Sequence, residues 1–251
     1  MNPVFSIITV SYNAADHIES TILSIAGQTY DKIEYIIIDG DSTDETVNII
    51  KKHEQHISYW VSEPDNGLYD AMNKGLQKAT GDYVWFMNAG DCIYDRNTVD
   101  GIVALLSESE KKPEIIYGET AIIDKKGMVI RQRRLKAPEK LTWKSFKMGM
   151  LVSHQSFIAR RETAPLFDTD YRYSADVDWC IKCLKQAMVI SNTHLILSKY
   201  LDEGLTTANR KASLRERYDI MCKYYGKLPT MIRHIWFGIR FYTTKLLTGK
   251  I

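Results

Sequence analysis

"EYIIIDGDSTDETVNIIKKH", residues 34–53, reads as a strand, a polar turn and a helix in that order. Tyr35 to Ile38 form a continuous apolar run, the pattern of a strand buried on both faces. Ser42 and Glu45 have the spacing of a capping box, and Val47 and Ile50 share a helical face behind it. The preceding stretch has the same plan: "VFSIITVSYN" (4–13) is a β-branched run ending in polar residues, and Ala15, Ile18, Ile22 and Ile25 then recur at helical spacing. Consecutive strand–helix units of this kind imply a parallel sheet. Further on, "ISYWVSE" (57–63) reads as a third strand, and "NGLYDAMNKGLQKATG" (66–81) as a helix with Leu68, Met72, Leu76 and Ala79 in line and Gly81 as its stop. "DYVWFMN" (82–88) is a fourth strand that empties into Asn88, Ala89, Gly90 and Asp91.

Past Asp91 the alternation ends. A short helix about Val99, Ile102, Val103 and Leu106 is followed by brief strands near "EIIYG", "TAIID" and "GMVIR". Residues 131–147 carry seven Lys or Arg against the single acid Glu139, with Trp143 and Phe146 between them, and read as a solvated surface loop. "SHQSFIARR" is strand-like, and "YRYSADVDWCIKCLKQ" is a polar turn opening a helix. The Cys180-x-x-Cys183 pair falls on the apolar face of that helix with Val177, Ile181 and Leu184, so it reads as buried structure rather than as a zinc or redox site. Four sparse cysteines argue against a disulfide framework and for a reducing compartment.

The 251 residues, 45% of them hydrophobic, suffice for one α/β core. A formal net charge of +2 supports no nucleic-acid partner. "MNPVFSIITV" lacks the basic and long apolar regions of a signal peptide, and no stretch has the roughly 18 apolar residues of a membrane span, which places the chain in the cytoplasm. From Ile220 to Ile251 there is no acid, while six Lys or Arg alternate with Ile232, Ile235, Trp236, Phe237 and Phe241. Such a segment has the chemistry to lie on the anionic inner face of a membrane, or else to pack as a helix on the domain. The chain is accordingly divided into a domain of residues 1–212 and a basic, aromatic helical tail of residues 213–251.

In a parallel α/β sheet, ligands gather beyond the carboxyl ends of the strands. Ser11, Tyr12 and Asn13 stand at the first end, Asp39 and Asp41 at the second, Glu63 and Asp65 at the third, and Asn88 and Asp91 at the fourth. Acids at three of four ends on one rim repel unless a cation or a polar ligand offsets them. No phosphate-cradling glycine fingerprint follows the first strand, which disfavours an ordinary dinucleotide fold.

These segments, together with "SHQSFIARR" and "YSADVDW", resemble the successive motifs of bacterial family 2 glycosyltransferases with a GT-A fold, particularly those that assemble capsule, exopolysaccharide or O-antigen repeats. The resemblance covers about residues 4–185. It implies a mostly parallel nucleotide-binding sheet flanked by helices, an inverting transfer, and a nucleotide-diphosphate sugar donor. Carried over position by position, it places the nucleotide on Thr9, Val10, Tyr12, Asp39, Asp65, Asn73 and Asn88. A Mg²⁺ or Mn²⁺ ion falls to Asp91, with His154 beside it, and the base that deprotonates the acceptor hydroxyl falls to Asp176, with Asp178 as runner-up. The acidic metal motif is reduced here to "NAGD", and the usual Glu-Asp of the base motif to Ala175-Asp176. With the basic tail, the resemblance suggests a lipid-linked saccharide acceptor at the membrane surface. Two other readings remain open: a nucleotide-sugar-binding module without catalysis, and a membrane-surface scaffold.

Overall fold

The computed structural model describes residues 2–124, 127–201 and 209–248, with residues 238–248 as backbone alone. The strands β1 (Phe5–Ser11), β2 (Ile33–Asp39), β3 (Tyr59–Ser62) and β4 (Tyr83–Phe86) pair in parallel in the order β3-β2-β1-β4. Their crossovers contain α1 (Ile18–Ala26), α2 (Thr46–Lys52) and α3 (Leu68–Lys78). Because side chains alternate across a strand, Ile8, Val10, Ile36, Ile38, Val84 and Phe86 pack beneath α3, while Ile7, Tyr35, Ile37, Tyr83, Trp85 and Met87 pack against the α1 side. Covering both faces is what makes the strands read as unbroken apolar runs, and each fully buried Ile or Phe contributes about 1.5–3 kcal/mol. Gly75 lets α3 settle on the sheet, since a Cβ there would run into Ile8 Cγ2.

The second half is mixed. It comprises β5 (Cys92–Ile93), α4 (Thr98–Ser107), β6 (Ile115–Ile123), β7 (Val129–Gln132), β8 (Phe157–Arg160), α5 (Ala175–Gln186) and β9 (Ile190–Leu201). β8 lies antiparallel between β4 and β6, β9 is parallel to β6, and β5 pairs antiparallel with β9 at the far edge. Strand order therefore turns at β1 and β4, so their carboxyl ends diverge and open a crevice.

Several local expectations change. The segments "EIIYG" and "TAIID" form one strand, β6, whose register shifts near Gly118 disguise its continuity. β9 carries no simple alternation because His194 sits at φ +56° and breaks it. The capping box of α2 does not form: Thr46 N is capped by Asp44, and Ser42 is engaged by Asp39 instead. α3 ends at Lys78, three residues before Gly81. Cys180 and Cys183 are buried free thiols on α5, as their spacing implied.

The chain continues as α6 (Arg210–Tyr225) and α7 (Lys227–Thr248). α6 runs across position 212/213 and is anchored to the domain: the Glu216 carboxylate accepts from Arg172 N and Tyr173 N, Ser213 meets Ser174, and Ile220 is buried. Trp143 stacks on Tyr225 at 5.7 Å, and the Tyr225 hydroxyl donates to Trp143 O at 2.5 Å. The basic stretch 131–147 is thus held against α6 at that point rather than lying as a free loop. No helix among the described residues is long and apolar enough to cross a membrane.

Candidate active site

The β2 end carries a saturated carboxylate. Asp39 is fully buried; Ser11 Oγ (2.8 Å) and Ser42 Oγ (2.6 Å) donate to Oδ1, and Ser42 N (2.9 Å) and Ser62 Oγ (2.7 Å) to Oδ2. Those donors offset the cost of burying the charge, and they tie the ends of β1, β2 and β3 together. In this structure, Asp39, expected on the nucleotide, has its carboxylate engaged by four protein donors. Thr9 and Val10 are likewise interior: Thr9 Oγ1 donates to Met87 O at 2.7 Å, and Val10 packs in the core. Asn73 also leaves the expected pocket, since its amide clamps the backbone N–H and C=O of Phe167 at 2.7 and 3.0 Å.

Tyr12 and Asp65 remain. The Tyr12 ring is 67% exposed at the end of β1, which is unusual for an aromatic at a strand end in the crevice. Asp65 accepts from Gly67 N through Oδ1 at 2.7 Å. Its Oδ2 occupies the space where a Cβ on Gly40 would be, and the Tyr12 ring lies 3.5 Å from the same point. An exposed aromatic plane and a carboxylate oxygen thus flank Gly40, a shape suited to a flat heterocycle with an N–H on its edge.

The β4 end carries the second cluster. Asp91 is 5% exposed, with its N–H on Asn88 O (2.9 Å) and its Oδ2 accepting from Gln155 Nε2 (2.9 Å). Burial pushes its carboxyl up to about 6, partly opposed by the His154 charge and the Gln155 hydrogen bond. Asn88 Nδ2 lies 3.3 Å from His154 Nε2, and Asn88 Oδ1 is buried without a partner. His154 Nδ1 in turn lies 3.3 Å from Asp176 Oδ2. His154, expected beside the metal, thus sets its two ring nitrogens against Asn88 and Asp176, which makes it the bridge between the β4 end and Asp176.

Asp176 sits in the first turn of α5, where the helix dipole favours an anion. Its Oδ1 accepts from Val177 N (2.9 Å) and from the Tyr69 hydroxyl of α3 (3.3 Å). Burial raises its carboxyl, but the His154 hydrogen bond and charge, and then the Arg217 charge, hold it below the ordinary carboxylate range. Asp178 lies two residues on, on the opposite helical face, and is consumed by Lys182 (2.7 Å), Lys223 (3.0 Å) and Tyr224 (2.8 Å). Asp178, the runner-up for the base, is fully buried among these partners.

The residues that remain fit a hard divalent cation. Asn88 Oδ1 is an orphaned buried acceptor, and the Asp91 carboxylate, which accepts from Gln155 and from the Leu201 backbone, stands on the same turn. No group of three or more His, Cys, Asp or Glu suited to a metal occurs among the described residues. A cation there would complete its shell with ligand phosphates and water, as Mg²⁺ commonly does. Sequence reasoning missed Tyr69, Arg133, Arg210 and Arg217, all of which reach the neighbourhood of Asp176. Arg133 was hidden inside a run of surface-like charges, and only the tertiary fold separates it from the others.

Residues 6–164 match the family model described as glycosyl transferase family 2. An uncharacterized glycosyltransferase of Mycobacterium tuberculosis is 33% identical over 186 residues, covering 72% of this chain and 68% of that protein. A PGL/p-HBAD biosynthesis glycosyltransferase of Mycobacterium bovis is 29% identical over 209 residues, covering 80% and 78% of the two. Among solved structures, S. aureus TarS 1-349 in complex with UDP-GlcNAc superposes with a TM-score of 0.68 at 20% identity, over 87% of this chain and 64% of that one. The mannosyltransferase PcManGT from Pyrobaculum calidifontis, in complex with GDP-Man and Mn²⁺, gives 0.62 at 18% identity, over 89% and 64%. At these identities the structural likeness establishes the GT-A fold.

Proposed function

The chain belongs to glycosyl transferase family 2 and is a glycosyltransferase, and from that premise we propose that it transfers a sugar from a nucleotide diphosphate to an acceptor hydroxyl in one displacement with inversion. The observation that carries this reading is the link between the two carboxylates. Asp91 is bonded to Gln155, the adjacent His154 is bonded to Asp176, and so the acid at the β4 end and the acid of α5 serve one crevice. Asp176 is the base: Oδ2 accepts one hydrogen bond from His154 and keeps a lone pair for the proton of the acceptor hydroxyl. As that oxygen bonds to the anomeric carbon, the bond from the carbon to the diphosphate breaks. Tyr69 and Val177 N fix the other oxygen and so the direction of Oδ2. Asp91 with Asn88 would hold Mg²⁺ or Mn²⁺, which when bound supplies positive charge against the departing diphosphate. The UDP-sugar and GDP-sugar complexes of the structural neighbours support a nucleotide sugar as the donor.

The donor's base is assigned to the Tyr12–Asp65 slot, where a ring stacks on Tyr12 and an edge N–H donates to Asp65 Oδ2. Titrating UDP and GDP with Mn²⁺ while following thermal unfolding tests the reading, since a ligand that binds only the folded state raises the apparent Tm. One of the two nucleotides is expected to stabilise the protein. Gly40→Ala forces the Asp65 carboxylate aside at little cost to the fold, because the obstructing atom is the end of a side chain. That variant should keep its own Tm while its nucleotide affinity falls about tenfold, the effect of one lost hydrogen bond to a charged group. Equal affinity in both proteins would move the base elsewhere.

For the acceptor, a lipid-linked saccharide at an anionic membrane surface is the reading that the tail supports. Leu228, Met231, Ile232 and Ile235 recur at i, i+3, i+4 and i+7 on α7, each exposed, on a segment that holds no acid. An amphipathic, basic helix of this kind lies in the headgroup region of anionic bilayers. Full-length protein should cosediment with phosphatidylglycerol vesicles and far less with phosphatidylcholine vesicles. The double variant Ile232→Asp, Ile235→Asp should lose about tenfold or more of that affinity, since each charge replaces roughly 1.5–3 kcal/mol of apolar burial. Unchanged cosedimentation would detach the tail from the membrane.

A further inference from the structure

Beside His154 and Asp176 opens a cavity of about 440 Å³ whose lining includes Arg133, Arg210, Arg217, Tyr200, His154 and Asp176. Tyr12, Asp65, Asn88 and Asp91 are not in its lining, while Gln155, the hydrogen-bond partner of Asp91, is, so the cavity adjoins the β4 end on the Asp176 side. α6 presents Arg210, Ser213, Leu214 and Arg217 to this space, the i, i+3, i+4, i+7 face of one helix. Arg133 enters from the segment that follows β7 and is anchored by Nη1 donating to Leu151 O at 3.0 Å.

Among the described residues the lining sets three arginines against one carboxylate, Asp176. Burial, and then the like charge of Arg217, lower the pKa of Arg133 to about 10. Arg217 Nε is buried without a hydrogen-bond partner. Converging guanidinium groups with an unsatisfied donor are costly until an anion neutralises and bridges them, and their planar forks match phosphate or carboxylate oxygens in two-point contacts.

We propose that this cavity is an anion subsite for the acceptor: the saccharide that delivers its hydroxyl to Asp176 carries a phosphate or carboxylate group, seated on Arg133, Arg210 and Arg217. The inference rests on the reading of Asp176 as the base that faces the acceptor. It makes these arginines specificity determinants, because a neutral saccharide would leave Arg217 Nε unpaired. One anchored anion also fixes the distance from the charged group to the attacking hydroxyl, and so narrows which hydroxyl reacts.

Glucose 1-phosphate, glucuronate and neutral glucose serve as probes, titrated calorimetrically into the full chain with Mn²⁺, with and without a saturating nucleoside diphosphate. The phosphate probe, the carboxylate probe or both should bind, glucose should not, and binding should persist when the nucleotide is already in place. Whichever probe binds identifies the source of the charge. Arg217→Gln should weaken it at least tenfold with nucleotide affinity within twofold, and Arg217→Lys should recover part of the loss. Arg210→Gln, an exposed rim position, gives the same test where the interior change harms folding. Displacement of the probe by the nucleotide, a selective loss of nucleotide affinity in these variants, or binding of neither anion overturns the subsite. Failure of the wild type to bind any nucleotide would instead count against the donor assignment, with the anion titration still read on its own.

Discussion

Asp176→Asn is expected to lower turnover by about 10²–10⁴-fold, the range for removing a general base, while nucleotide affinity stays within twofold. The substitution keeps the size of the side chain, and its oxygen still accepts from Val177 N and Tyr69. The amide nitrogen then meets His154 Nδ1 and has no lone pair for the proton of the acceptor. Turnover is read as release of nucleoside diphosphate in the presence of acceptor, and binding as the ligand-induced rise in Tm. A catalytically silent binding module predicts equal and negligible turnover in both proteins, and a variant that keeps more than about a tenth of wild-type rate would remove Asp176 from the chemistry. The pH dependence has a definite sign. His154 and Arg217 overcome the effect of burial and hold Asp176 below the usual carboxylate range. The base is therefore ionised at neutral pH, and activity that depends on it is lost only as pH falls through that lowered value. A wild-type rate that already declines between pH 7 and 6 would point to another group.

The first half of this fold was legible because each strand is covered on both faces, which writes it as an uninterrupted apolar run, and because each crossover helix follows a polar strand end. The strand ends also pointed to where polar residues collect: Tyr12 and Asp65 flank Gly40, and Asn88 and Asp91 stand on the turn after β4. Sequence alone does not report which way a residue there faces or what already satisfies it. Asp39 has the position of a ligand-binding acid, yet serines from three separate elements close on it, a convergence with no local signature. Asn73 shares a helix with Tyr69, but four residues on it meets the Phe167 backbone instead of the crevice. Asp176 and Asp178 could have been separated in advance, because two residues on a helix turn the side chain about 200°. The arginines of the anion cavity lie 77 and 84 positions from Arg133, and no periodic pattern spans such a gap.

Asp91→Asn is expected to do opposite things to stability and to function. In the metal-free protein, burial raises the Asp91 carboxyl from its ordinary value to about 6. Below about pH 4 the group is neutral in both folded and unfolded chains and contributes nothing. Between about pH 4 and 6 the unfolded chain loses its proton first, so the folded state is progressively penalised, and above 6 the penalty is constant. At pH 7 it is on the order of 3 kcal/mol, from the size of the shift. The Asn variant, whose oxygen can still accept from Gln155, avoids this, so in EDTA its Tm should exceed that of the wild type at pH 7 and match it near pH 4. With Mn²⁺ and nucleotide the order reverses, because the variant has lost the charged oxygen that faces the cation. Turnover should fall by about 10²–10³-fold, the scale for deleting one electrostatic stabiliser of developing charge, and the extra stabilisation that Mn²⁺ gives to the nucleotide complex should vanish. A wild-type protein whose nucleotide affinity and rate are indifferent to both EDTA and this substitution would show that Asp91 only shapes the turn after β4. The buried carboxylate would then lack a reason to be there, whereas a cation on Asp91 and Asn88 accounts at once for its desolvation, for the orphaned Asn88 oxygen and for the acid at the fourth strand end.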